Sequence, residues 1–77
     1  MSLKTVEPEY RLFGARVVEA RGRKGIRQQE LADLTGMSRG SIANIEIGRQ
    51  RFMLHNIRTF AKALGVSPKW LTKGIWI

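Results

Sequence analysis

The stretch Gln28-Gln29-Glu30-Leu31-Ala32-Asp33-Leu34-Thr35-Gly36-Met37-Ser38-Arg39-Gly40-Ser41-Ile42-Ala43-Asn44-Ile45-Glu46-Ile47 decides the fold. Its spacing predicts a helix over 28–34 with Leu31 and Ala32 facing inward. Gly36 ends that helix where a tight turn needs positive φ. Ser38 is a good N-cap for a second helix over 39–47, whose core side is Ile42 and Ile45. Ala32 is small where the two helices must cross closely, and Met37 helps Ile42 and Ile45 pin the second helix onto the core. Each of these residues is weak evidence alone; the set in register is specific.

Working outward, the flanks also read as helix. Pro8 suits a first helical turn, and Glu7 and Glu9 sit well for the N-terminal dipole. Phe13, Val17 and Ala20 make the inward stripe of that helix. Arg21, Arg23 and Lys24 fill its last turn and Gly25 closes it. Gly22, inside it, weakens it by up to about 1 kcal/mol against Ala. Past the loop 48–52, a helix over 54–64 carries Leu54, Ile57, Ala61 and Leu64 inward with Phe60 alongside, and Gly65 caps it. Ser67-Pro68 opens a last short helix through Trp70 and Leu71. No hairpin signal appears, so the expected fold class is all-α with about five short helices.

The chain has 77 residues, 14 Lys+Arg against 6 Asp+Glu, a formal net charge of +8 and no cysteine. That length suits a single domain, here with a core over 8–73, an N-terminal arm over 1–7 and an apolar tail over 74–77. A chain this small buries only about 60% of its unfolded surface, which leaves no room for a deep substrate cleft. No acid/base pair, metal cluster or phosphate-cradling glycine loop is present, so no enzyme, metal or cofactor is expected. His55 has no ligating neighbours and reads as surface. The net charge favours a polyanionic partner, although solubility alone also explains a small basic domain. No acidic residue follows Glu46, while Arg49, Arg51, Arg58, Lys62, Lys69 and Lys73 do. The absence of cysteine fits a reducing cytoplasm. Neither a secretory leader nor a membrane-spanning run is read, and the bases are spread over several helices rather than along one amphipathic face, so no membrane partner is expected.

The blocks Gln28-Gln29-Glu30-Leu31-Ala32, Gly36-Met37-Ser38-Arg39, Ser41-Ile42-Ala43-Asn44-Ile45-Glu46, Gly48-Arg49-Gln50-Arg51 and Ala61-Lys62-Ala63-Leu64-Gly65-Val66-Ser67 resemble the Cro/phage-repressor (XRE) helix-turn-helix family over about residues 12–72. The resemblance implies a five-helix, lambda-repressor-like bundle that binds double-stranded DNA, usually as a homodimer on a palindrome. It implies base contacts from Arg39, Gly40, Ala43 and Asn44 on the recognition helix. Arg39 is able to fork onto a guanine and Asn44 to pair with an adenine. Phosphate contacts are implied for Gln28, Arg49 and Arg51, with Ser38 and Ser41 nearer the backbone. Arg27 adds a further base beside Gln28. Arg21 and Glu46 match a structural ion pair. The bland readings stay open: Gln28 as support for a helix start, Arg39 as a solvated base, and Arg23, Lys24 and Arg58 as surface charge.

Three departures stand out. Arg27 and Met53 replace the usual Ser or Thr caps of the second and fourth helices, which weakens both starts. Gly40 and Ala43 put almost no side chain on two reading positions, so DNA shape must supply part of the specificity. Ile47 leaves an apolar group near the DNA-facing loop.

The expected function is a sequence-specific transcriptional regulator, most simply a repressor, in a bacterial or phage-encoded setting and associated with the nucleoid. Three readings suit the apolar tail residues Trp70, Ile75, Trp76 and Ile77: they pack across a two-fold axis, fold back on their own core, or belong to a longer protein of which this chain is a part. An alternative is an antitoxin-type interaction module that holds a toxin or other protein partner through this tail and autoregulates by binding DNA.

Overall fold

The computed structural model describes residues 8–75. Five helices follow in order: α1 (Pro8–Lys24), α2 (Gln28–Thr35), α3 (Arg39–Glu46), α4 (Leu54–Leu64) and α5 (Pro68–Leu71). The expected all-α class and the element order are as observed. α2 runs one residue further than its spacing predicts, and α3 stops one residue earlier, with Ile47 as its C-cap. Among the described residues, no helix is long and apolar enough to cross a membrane.

One core unites the helices. Phe13, Val17, Leu31, Ala32, Ile42, Ile45, Phe60 and Leu71 are almost fully excluded from solvent. Burying each of the larger side chains among them is worth about 1.5–3 kcal/mol. α1 lies against α3, α4 and α5, while α2 packs on α3 and α4. The close approach of α1 to α3 depends on Gly14. A Cβ at that position would lie 2.7 Å from the Glu46 carbonyl carbon and overlap the carbonyl oxygens of Ile45 and Glu46. Nothing in the spacing of the sequence singles out Gly14.

Leu54 departs from the expected inward stripe and is 73% exposed. It lies on the same helical face as Ile57, but at the first position of α4, at the rim of a cavity that Glu9, Tyr10 and Phe52 also line. The space against α1 is taken instead by Phe52 from the preceding loop. Its ring stacks on Phe13 with centroids 4.0 Å apart and meets Tyr10 edge-on at 5.1 Å.

The two caps expected to be weak are made from the other side. Arg27 and Met53 offer no accepting side chain. The Glu30 carboxylate, however, accepts from the Arg27 backbone N–H at 2.8 Å, and the Asn56 carbonyl accepts from the Met53 N–H at 2.7 Å. The N3 residue thus carries out half of a capping box alone.

At the C-terminal end, Arg16 Nη1 donates to the Trp70 carbonyl at 2.6 Å. The guanidiniums of Arg16 and Arg23 lie 5.6 and 5.4 Å from the Trp70 ring centre. Arg23 also pairs with Glu19 at 2.5 Å, so it is more than the plain surface charge expected of it. Ile75 packs against the core, as the fold-back reading of the tail requires of it. Trp76, Ile77 and the N-terminal arm lie outside the described residues.

Candidate nucleic-acid interface

The turn between α2 and α3 is built as its residues require. Gly36 takes φ 74°, and its N–H donates to the Ala32 carbonyl. The Met37 N–H donates to the same carbonyl at 3.1 Å. A side chain at Gly36 would meet no atom within 4 Å, so the positive φ itself is the reason for glycine. Ser38 then caps α3, its Oγ accepting from the Ser41 N–H at 3.0 Å. The Ser38 hydroxyl is therefore occupied within the helix start, with its own O–H still free to donate.

α3 presents Arg39, Gly40 and Asn44 to solvent, with Ala43 and Ser41 half-buried beside them. Arg39, Gly40, Ala43 and Asn44, the four positions expected to read bases, follow one another on this part of α3, with Ile47 beyond them at 56% exposure. Arg27 is exposed at the start of α2, and Arg49 and Arg51 are exposed in the loop after α3. The Arg49 N–H is tied to the Asn44 carbonyl at 2.8 Å, which holds that loop against the end of α3. Arg51 lies with its guanidinium 6.0 Å from the Tyr10 ring centre. The fold thus leaves the four expected DNA-contacting arginines exposed, with Arg39 tied to Gln28 of α2 and Arg49 tied by its backbone to Asn44 of α3.

A relay of side chains underlies this face. Arg21 Nε and Nη2 donate to the two carboxylate oxygens of Glu46 at 2.8 and 3.3 Å, and Arg21 Nη1 donates to the Ile26 carbonyl at 3.0 Å. Gln28 Nε2 donates to Glu46 Oε1 at 2.8 Å. Arg39 Nη1 in turn donates to Gln28 Oε1 at 3.3 Å. The Glu46 side chain is only 4% exposed, so its charge is balanced by two-point pairing with Arg21 and by the Gln28 amide. Gln28, expected to meet phosphate, is half-buried and joins Glu46 to Arg39, with one amide N–H still free to donate outward.

The Arg21–Glu46 pair was legible through the family resemblance. The two bonds of Gln28 were not, because residues 11 and 18 positions away meet only when α2 and α3 fold onto each other. Arg11 was also missed. Its backbone packs directly on Gly48, where a Cβ would come within 2.9 Å of the Arg11 Cα, and this sets a further exposed base beside the loop.

A family model described as helix-turn-helix matches residues 17–71. A Bacillus subtilis (strain 168) protein, the SPbeta prophage-derived uncharacterized HTH-type transcriptional regulator YonR, is 36% identical over 63 residues, covering 82% of this chain and 58% of that protein. The chain therefore spans a little over half the length of this relative. Among solved structures, the restriction-modification controller protein C.AhdI from Aeromonas hydrophila superposes with a TM-score of 0.80 at 35% identity, over 84% of this chain and 98% of that one. The P22 c2 repressor protein, solved in complex with synthetic operator 9T, superposes with a TM-score of 0.74 at 32% identity, over 80% of this chain and 94% of that one.

Proposed function

Because the chain belongs to the helix-turn-helix family, we propose that it is a sequence-specific regulator of transcription that lays α3 in the major groove of duplex DNA. It acts most simply as a repressor, by occupying an operator. The observation that carries this reading is the exposed face of α3 with Arg39 already anchored through Gln28 to the buried Glu46. An arginine held in this way loses less side-chain freedom when it docks on a guanine, so more of the contact energy remains for discrimination.

Arg39 and Asn44 read base edges, and Gly40 and Ala43 let the backbone of α3 approach closely. Arg27, Arg49 and Arg51 meet phosphate, together with the free amide hydrogen of Gln28. Ser38 and Ser41 lie at the α3 start near the same backbone. A single module buries about 600–1,000 Å² on DNA, so a homodimer on a palindromic site is the working form. The setting is the cytoplasm of a bacterium, with the chain encoded by the cell or a phage. A prophage regulator and a restriction-modification controller among its relatives support that setting and favour a regulator over an antitoxin.

Selection of bound duplexes from a random pool tests the reading. It should return a palindrome with half-site centres about 10 base pairs, or one helical turn, apart. A pool that remains random after repeated rounds would sink the claim of sequence-specific reading.

A further inference from the structure

A second basic surface lies outside the reading face. A groove of about 630 Å³ is lined by Lys24 at the end of α1, Leu34 on α2, and Arg58, Thr59, Lys62 and Ala63 on α4. Lys24, Arg58 and Lys62 are exposed, no acidic side chain lines the groove, and neither of the ion pairs among the described residues involves them. Beside them Leu34 stands 57% exposed and Ala63 half-buried. The helix dipole favours Lys24 and Lys62, each in the last turn of its helix. That accounts for two of the bases. It accounts neither for Arg58 in the middle of α4 nor for a large apolar side chain left in water between them.

Two kinds of anion suit three cations. A DNA backbone offers phosphates and sugars but nothing that would cover Leu34. An acidic protein segment with one or two large apolar side chains among its carboxylates satisfies both features together. We propose that this groove docks such a segment of a partner protein, its apolar side chains covering Leu34 and Ala63 and its carboxylates meeting Lys24, Arg58 and Lys62. None of the residues assigned to base or phosphate contact lines the groove, so a partner held there leaves α3 free for DNA. The surface thus suits a protein that acts on the DNA-bound regulator.

The test uses the full chain, labelled with nitrogen-15, and two synthetic peptides: one with a Leu-Phe pair flanked by glutamates, and one with Ala-Ala in its place. The Leu-Phe peptide should shift the amides of Leu34, Lys62 and Ala63 and leave those of Arg39 and Asn44 in place. The Ala-Ala peptide should bind about tenfold more weakly, since it loses the covered apolar area. The double substitution R58Q/K62Q should cost about tenfold in affinity for the Leu-Phe peptide, the sum of two exposed ion pairs. L34Q, at an exposed site, should weaken the same peptide and leave a duplex of fixed sequence bound as before. Equal binding of the two peptides would overturn the proposal, because charge alone would then explain the attraction. Shifts centred on Arg39 and Asn44 would overturn it too, as the peptide would merely stand in for DNA. A duplex that shifts the Leu34 and Ala63 amides would assign the groove to the DNA interface instead.

Discussion

Arg39 and Arg49 are both exposed arginines next to the proposed DNA, yet the fold treats them differently. Arg39 is held by Gln28 at 3.3 Å, while Arg49 is fixed only through its backbone N–H on Asn44. Arg39→Ala should therefore cost about 1–3 kcal/mol on the selected operator and relax its specificity. Arg49→Ala should weaken all duplexes alike and make the salt slope shallower by about one unit. Fluorescence anisotropy on operator and random duplexes over a range of salt concentrations separates the two. Operator preference unchanged in the Arg39 variant would remove it from the reading face. Glu46 acts on the same face from beneath. Glu46→Ala strips the acceptor from both Arg21 and Gln28 and should cost about 1–3 kcal/mol of stability, measured by urea unfolding. Glu46→Gln keeps one acceptor oxygen and should cost less. If both variants unfold at the wild-type midpoint, the relay is not structural.

Within α1, two glycines separate packing from propensity. Gly14 is buried against the carbonyls of Ile45 and Glu46, whereas Gly22 is exposed with nothing within 4 Å of an added Cβ. Gly14→Ala must push α1 away from α3 and should destabilise by about 1–3 kcal/mol or more. Gly22→Ala relieves the helix of its most flexible residue and should stabilise by up to about 1 kcal/mol. Thermal melts of the two variants should move in opposite directions, and a shared direction would contradict the assignment. The helices themselves were legible from Pro8, Ser38, Ser67 and the glycines at their ends, since these are local backbone effects. The exposure of Leu54 was not legible. Periodicity places a residue on a face but does not say that Phe52, from the loop before the helix, packs against α1 in its place.

For the whole molecule, the excess of eight positive charges is unevenly used. Part lies around α3 and the loop after it, part in the groove of α4, and Arg16 and Arg23 clasp Trp70. The tail therefore begins committed to its own domain, with Ile75 already on the core. Removing residues 75–77 should lower the melting temperature, because Ile75 leaves that packing. Light scattering at equal concentration shows whether the tail also carries the proposed dimer, since conversion to monomer would place the interface there. An unchanged dimer would place the interface elsewhere and leave the tail with the core alone.

The helix order, the glycine turn between α2 and α3 and most of the core stripe are written along the chain, and the Arg21–Glu46 pair follows from the family resemblance. The first three are encoded within a few residues or within a pattern of fixed period, whereas the ion pair joins residues 25 positions apart and rests on the resemblance. The helices must come together before Gln28 bridges Glu46 and Arg39, Gly14 lets α1 press on α3, and Lys24, Leu34 and Lys62 share one groove. These facts depend on where three helices cross. A crossing is set by the summed packing of the whole core, which no local stretch of the chain contains.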